Sequence, residues 1–146
     1  MSRKKKTEDS TAAVALSGAA ALSTVLQGGD LSQLDALFTR RIQLLYTQVN
    51  GSGYVENIRE HLAALRVGDR VQLLREPANE HDANAIAVRM TDDRRLGYIP
   101  RAHNEILANL MDAGKYLYGT VEQINADPDD RDYPWKAVMI KVYMED

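Results

Sequence analysis

The sequence predicts an α+β domain that is mainly β: a small, closed or nearly closed barrel of about six short strands with one firm helix. Three observations predict it. Short stretches of alternating apolar and polar residues recur between clusters of Gly, Asn, Asp and Pro, as strands separated by turns do. Only Ile106, Leu107, Leu110 and Met111 give a firm helical spacing, and it is ended by Gly114. The 146 residues, 45% of them hydrophobic, suit one domain with one core plus a tail, and no internal repeat is visible.

Taken in order, residues 1–29 open on Met1-Ser2-Arg3-Lys4-Lys5-Lys6 and continue as an Ala/Ser/Gly-rich stretch to Gly28-Gly29, read as a flexible basic and Ala-rich tail. Glu8 and Asp9 and the weak apolarity of the run argue against a signal peptide. Residues 30–40 are expected to hold a short helix over 31–39: Asp30 is a good N-cap, and Leu31, Leu34, Leu37 and Phe38 follow at helical spacing. Residues 41–146 form the domain. Ile42 to Val49 alternates as a strand and is broken by Asn50-Gly51-Ser52-Gly53. Val55, Ile58, Leu62 and Leu65 give a helical turn or two, and Gly68-Asp69 turns the chain into a strand over Val71–Arg75. A strand from Asn84 to Met90, a hairpin loop over Thr91–Arg95 and a strand over Leu96–Ile99 stopped by Pro100 follow. After the helix, strands are expected over Tyr116–Ile124 and Trp135–Tyr143, joined by the acidic loop Asp127–Asp132.

The most informative stretch is Arg75-Glu76-Pro77-Ala78-Asn79-Glu80-His81-Asp82-Ala83-Asn84-Ala85-Ile86-Ala87-Val88. Pro77 stops the first strand, and Asn79, Asp82 and Asn84 are residue types whose side chains fold back onto backbone N–H groups in turns. Asn79, His81 and Asp82 are thereby set on the tip of a rigid hairpin, where binding residues concentrate.

Composition narrows the function. With no cysteine, disulfides and thiolate zinc sites are excluded, and the expected compartment is the cytoplasm. A net charge of −3 argues against coating nucleic acid through bulk positive charge, but leaves room for a local basic patch. No stretch is long and apolar enough to span a membrane. There is no Gly-rich phosphate loop, nucleophile elbow or paired histidine motif, so no catalytic residue, cofactor or metal is assigned. His61, His81 and His103 stand apart in sequence, and His81-Asp82 alone is a weak metal signal.

The central stretch, together with Leu96-Gly97-Tyr98-Ile99-Pro100-Arg101, resembles the HIRAN domain, a module of helicase-like DNA-repair translocases that also occurs as a stand-alone bacterial protein. The resemblance spans roughly residues 41–144 and implies a barrel related to the oligonucleotide-binding fold. It also implies capture of the 3′ end of single-stranded DNA. Asp82 matches the carboxylate on the terminal hydroxyl, Asn79 a polar neighbour, Tyr98 a ring-bearing position and Arg101 a basic position near the phosphates. Tyr54 matches an aromatic that stacks on a base, and His81 replaces a frequent aromatic while keeping a flat ring. Two neighbours depart from the pattern: Gly53 stands where an arginine can occur, and Val55 where a second aromatic is common.

The residues themselves fit binding better than catalysis. Aromatic faces take bases, cations take phosphates, and a carboxylate such as Asp82 suits a sugar hydroxyl, to which it accepts a hydrogen bond, while repelling a 3′-phosphate. The bland readings stand beside these. Asn79 and Asp82 equally fit capping of their own turn, Tyr98 fits core packing, and Arg94 and Arg95 beside Asp92 and Asp93 fit a solvated loop. Tyr116, Tyr118, Trp135 and Tyr143 alternate along strands and are expected to pack the barrel. The expectation is a non-enzymatic module binding the 3′ end of single-stranded DNA in repair or replication, with partner proteins from those processes. The alternatives are a metal-dependent phosphoester hydrolase using His81 and Asp82, and a protein-interaction module or homodimer through the helix at 31–39.

Overall fold

The computed structural model describes residues 40–145; the expected tail and the helix at 31–39 lie outside the described residues. The domain is one six-stranded antiparallel sheet in the order β1-β6-β5-β2-β3-β4. Its elements are β1 (Arg41–Gln48), a 3-10 turn (Ser52–Tyr54), α1 (Ile58–Ala64), β2 (Arg70–Arg75), β3 (Ile86–Met90), β4 (Arg95–Tyr98), α2 (Arg101–Asp112), β5 (Tyr116–Ile124) and β6 (Val138–Glu145). The α+β class and the six strands follow the sequence reading, but the barrel does not close. Between the two ends of the sheet the strand pairing is a single bridge, from Asn50 just past β1 to Tyr98 of β4.

The core forms where the inward set of each strand meets the two helices. Val71 and Leu73 of β2, Ile86 and Val88 of β3, Leu117 and Val121 of β5 and Ile140 and Val142 of β6 are all at most 5% exposed. Ile58 and Leu62 of α1 and Leu107 and Ala108 of α2 pack into the same cluster. Burying side chains of this size supplies on the order of 1.5–3 kcal/mol each against the chain entropy lost on folding.

Two elements differ from the sequence reading. The helix begins at Arg101, directly after Pro100, and its buried stripe is Asn104, Leu107 and Ala108, whereas Ile106 is 72% exposed. A polar residue at an i, i+3, i+4 position thus replaces the apolar one that the spacing suggested. The last strand starts at Val138 rather than Trp135, because residues 129–136 are wound into turns, with Lys136 N–H donating to the Asp132 carbonyl at 2.7 Å. Trp135 is consequently 48% exposed and not barrel packing. Tyr118, by contrast, is buried, lies stacked between Tyr116 and Tyr143, and carries the Arg70 guanidinium 3.8 Å above its ring.

Candidate functional site

The loop between β2 and β3 is held by its own side chains. Asn79 Oδ1 accepts the backbone N–H groups of His81 and Asp82 at 2.9 and 3.2 Å, and Asn79 Nδ2 donates to Glu76 Oε1 at 3.1 Å. Asp82 Oδ1 accepts the Asn84 N–H at 2.9 Å, which turns the chain into β3. Arg75 clamps the base of the loop, donating to the carbonyls of Ala83 and Ala85 and forming a two-pronged pair with Asp112 of α2. Its charge is therefore spent inside the domain rather than offered to a ligand.

Two further segments meet this loop. At the end of β1, Asn50 and Tyr98 exchange backbone hydrogen bonds of 2.7 and 2.8 Å, and Gly97 makes the approach possible: a Cβ there would run into the Asn50 carbonyl oxygen. Gly51, at φ 78°, then bends the chain into the 3-10 turn that carries Tyr54, anchored by the buried Ser52 hydroxyl donating to the Leu96 carbonyl at 2.7 Å. From the other side, α2 contributes Arg101 and Asn104.

Together these segments enclose an open pocket of about 430 Å³. Tyr54, Asn79, His81, Asp82, Tyr98 and Arg101, the six residues singled out in the sequence, all line it. Asn50, Gly51, Ala85, Ile99 and Asn104 complete the wall. A volume of this order matches small-ligand sites.

Asp82 is held from both the loop and α2. Asn104 Nδ2 donates to its Oδ2 at 2.7 Å, Arg101 Nε lies 3.5 Å from the same oxygen, and Arg101 Nη2 donates to the His81 carbonyl at 2.6 Å. The Asn104 amide, then the Asn84 N–H, then Arg101 and Arg75 hold the Asp82 carboxyl below its ordinary value, so it is ionised at neutral pH. Tyr98 donates to Glu76 Oε1 at 2.8 Å and accepts from Arg95 at 2.7 Å, which fixes its ring on the pocket wall. Burial pushes the Glu76 carboxyl up, but hydrogen bonds from Asn79 and Tyr98 and the nearby Arg95 outweigh it and leave it below the usual range.

At the mouth, Tyr54 is 86% exposed and meets Trp135 edge-on, with ring centroids 5.2 Å apart. The Trp135 ring lies directly over Gly53, so a larger side chain at that position would displace it. Sequence reasoning missed Trp135, because its spacing to Tyr143 mimics a strand. It also missed Asn104, whose signal was its place three and four residues before Leu107 and Ala108. Arg94 pairs with Asp92 and Arg95 with Glu76, so neither extends the site. His61 Nδ1 is 2.7 Å from the Arg95 carbonyl, and among the described residues no group of three or more His, Cys, Asp or Glu is placed to hold a metal ion.

The sheet thus carries an open pocket between the hairpin tip, the β1 end and the helix start, lined by polar, charged and aromatic side chains. The HIRAN domain family model matches residues 42–145, and the chain belongs to that family. A crystal structure of a protein from Lactobacillus plantarum is similar at 33% identity and a TM-score of 0.66, over 74% of this chain and 98% of that one. The HIRAN domain of human HLTF shares the fold at 20% identity and a TM-score of 0.56, over 72% of this chain and 78% of that one. No curated protein matches.

Proposed function

We propose that this pocket binds the terminal nucleotide of single-stranded DNA and reads a free 3′-hydroxyl. The observation that carries the reading is Asp82, an ionised carboxylate held in the pocket wall by Asn104 and Asn84 and 20% exposed. A carboxylate can only accept, so a hydroxyl donor is welcome there and a terminal phosphate is repelled. Tyr54 and Trp135 offer exposed rings to a base, as strand-binding domains do. Arg101, 72% exposed at its side chain, offers a cation to the adjoining phosphate. Asn79 acts through the loop: both its acceptor positions are used on His81 and Asp82.

Membership of a nucleic-acid-binding family supports the same reading. The domain acts as a non-enzymatic end reader in the cytoplasm, recruiting or regulating repair or replication enzymes. The test is fluorescence anisotropy with 5′-labelled single strands that differ only in a 3′-hydroxyl or 3′-phosphate. Tighter binding to the hydroxyl end, lost in Asp82→Ala, is expected; equal binding to both ends would leave generic strand binding, and no binding would reject the reading.

A further inference from the structure

The His81 backbone is held at both ends while its ring is left open. Its N–H donates to Asn79 Oδ1 at 2.9 Å, and its carbonyl accepts Arg101 Nη2 at 2.6 Å. The imidazole is exposed, lines the pocket and makes no hydrogen bond among the described residues. The His61 ring, by contrast, is engaged, with Nδ1 2.7 Å from the Arg95 carbonyl. A ring with both nitrogens open on a fixed backbone is placed to donate to a ligand.

Charge in the pocket lining comes from His81, Asp82 and Arg101; the rest are amides, tyrosines and uncharged residues. Arg101 Nε lies 3.5 Å from Asp82 Oδ2, so those two charges offset each other. Other ionisable groups around the loop do not change the sum. Glu76 is paired with Arg95 and Arg75 with Asp112, while Glu80 and His103 are exposed and outside the lining. His81 therefore decides the net charge of the pocket, and histidine is the side chain whose charge changes between pH 5 and 8.

We propose that His81 is a phosphate-binding residue of this pocket, whose protonation gives the site its net positive charge and tightens its hold on the last phosphodiester of the strand. The inference rests on the strand-binding reading above. Asp82 does not titrate in the same window: its carboxyl is held below its ordinary value of 3.8, first by the Asn104 amide, then by the Asn84 N–H and Arg101. Acidification therefore adds a phosphate donor beside Arg101 and leaves the hydroxyl reader ionised. One added hydrogen bond from a charged donor strengthens binding by about tenfold. One added phosphate contact also steepens the fall of log K with log salt by about 0.7 for a single strand.

The experiment uses the full chain and a 5′-labelled oligothymidylate with a 3′-hydroxyl, whose bases keep one charge state from pH 5 to pH 8. Affinity is measured at both pH values over a range of salt. Wild type is expected to bind about tenfold more tightly at pH 5, with a salt slope steeper by about 0.7. His81→Phe keeps a flat ring that cannot titrate and is expected to lose both changes, while carrying any pH response of the remaining surface. His81→Lys, a fixed cation, is expected to bind at pH 8 nearly as tightly as wild type does at pH 5. The side chain is exposed, so both variants should fold, and thermal melting confirms it. A wild type indifferent to pH, or the same pH response in His81→Phe, would overturn the inference. A 3′-phosphate strand compared at pH 8 keeps the two readings apart. Preference for the hydroxyl end without a His81-dependent response overturns this inference alone; the response without that preference supports it and rejects the end reading. Failure to bind any strand at either pH removes both.

Discussion

Asn50 and Tyr98 donate backbone N–H groups to each other's carbonyls, at 2.7 and 2.8 Å, and this pair fastens the end of β1 to the end of β4. It is the point at which an open sheet is drawn together. Both residues also line the pocket, so the same contact that curves the sheet brings the Tyr54 turn up to the hairpin tip.

Gly97→Ala is expected to lower stability by about 2 kcal/mol, because φ 151° and the Asn50 carbonyl leave no place for a Cβ. Urea denaturation measures it. Affinity for single strands should fall as well, since the Tyr54 side of the pocket loses its tie to β4.

Tyr98→Phe keeps the ring and removes the hydroxyl that bridges Glu76 and Arg95. The expected cost is about 1 kcal/mol of stability, the usual net worth of such a bond. It should grow toward neutral pH and shrink in acid. The Glu76 carboxyl lies below its ordinary value of 4.5 in the folded chain, so its contribution is present above that value and is lost as pH falls through the folded one. Denaturation curves between pH 7 and 3 check the slope.

Asp82→Asn tests the same linkage at the pocket wall. The wild-type carboxyl is held below its ordinary value of 3.8, first by the Asn104 amide, so it stabilises the fold above that pH and ceases to as pH drops through the lowered value. The variant should show a shallower loss of stability in this acid range. Its preference for a 3′-hydroxyl over a 3′-phosphate should disappear at neutral pH.

Tyr54→Ala should leave stability within about 0.5 kcal/mol, as the ring is 86% exposed, but weaken strand binding by about tenfold or more through lost stacking. Trp135 is the chain's one tryptophan and touches Tyr54, so its fluorescence should change when a strand binds wild type.

How much of this was legible beforehand depends on where the information sits. Asn79 and Asp82 could be read because turn chemistry is local: each side chain bonds backbone within three residues of itself. The strand Tyr116–Ile124 was legible to the residue because its alternation is bounded by Gly114 and the acidic loop. Trp135 was not, since period-two spacing continues past the real start of β6 into a turn fixed by Asp132 and Lys136. Asn104 was hidden for another reason. Its partner Asp82 lies on a different element, and only the packing of α2 against the hairpin loop brings the two side chains to 2.7 Å. The open sheet was likewise beyond a pattern of strands, because closure depends on how far β1 and β4 run alongside each other, and here they share one bridge.

The most direct test of the central claim is an amide chemical-shift titration of the ¹⁵N-labelled protein with a short single strand bearing a 3′-hydroxyl. The account predicts the largest shifts at the backbone N–H groups of His81, Asp82 and Asn84, the Asn104 side-chain amide and the Trp135 indole, with little change for a 3′-phosphate strand. Shifts gathered instead on the outer tyrosines of β5 and β6, around Tyr116 and Tyr143, and indifferent to the strand's end would contradict it.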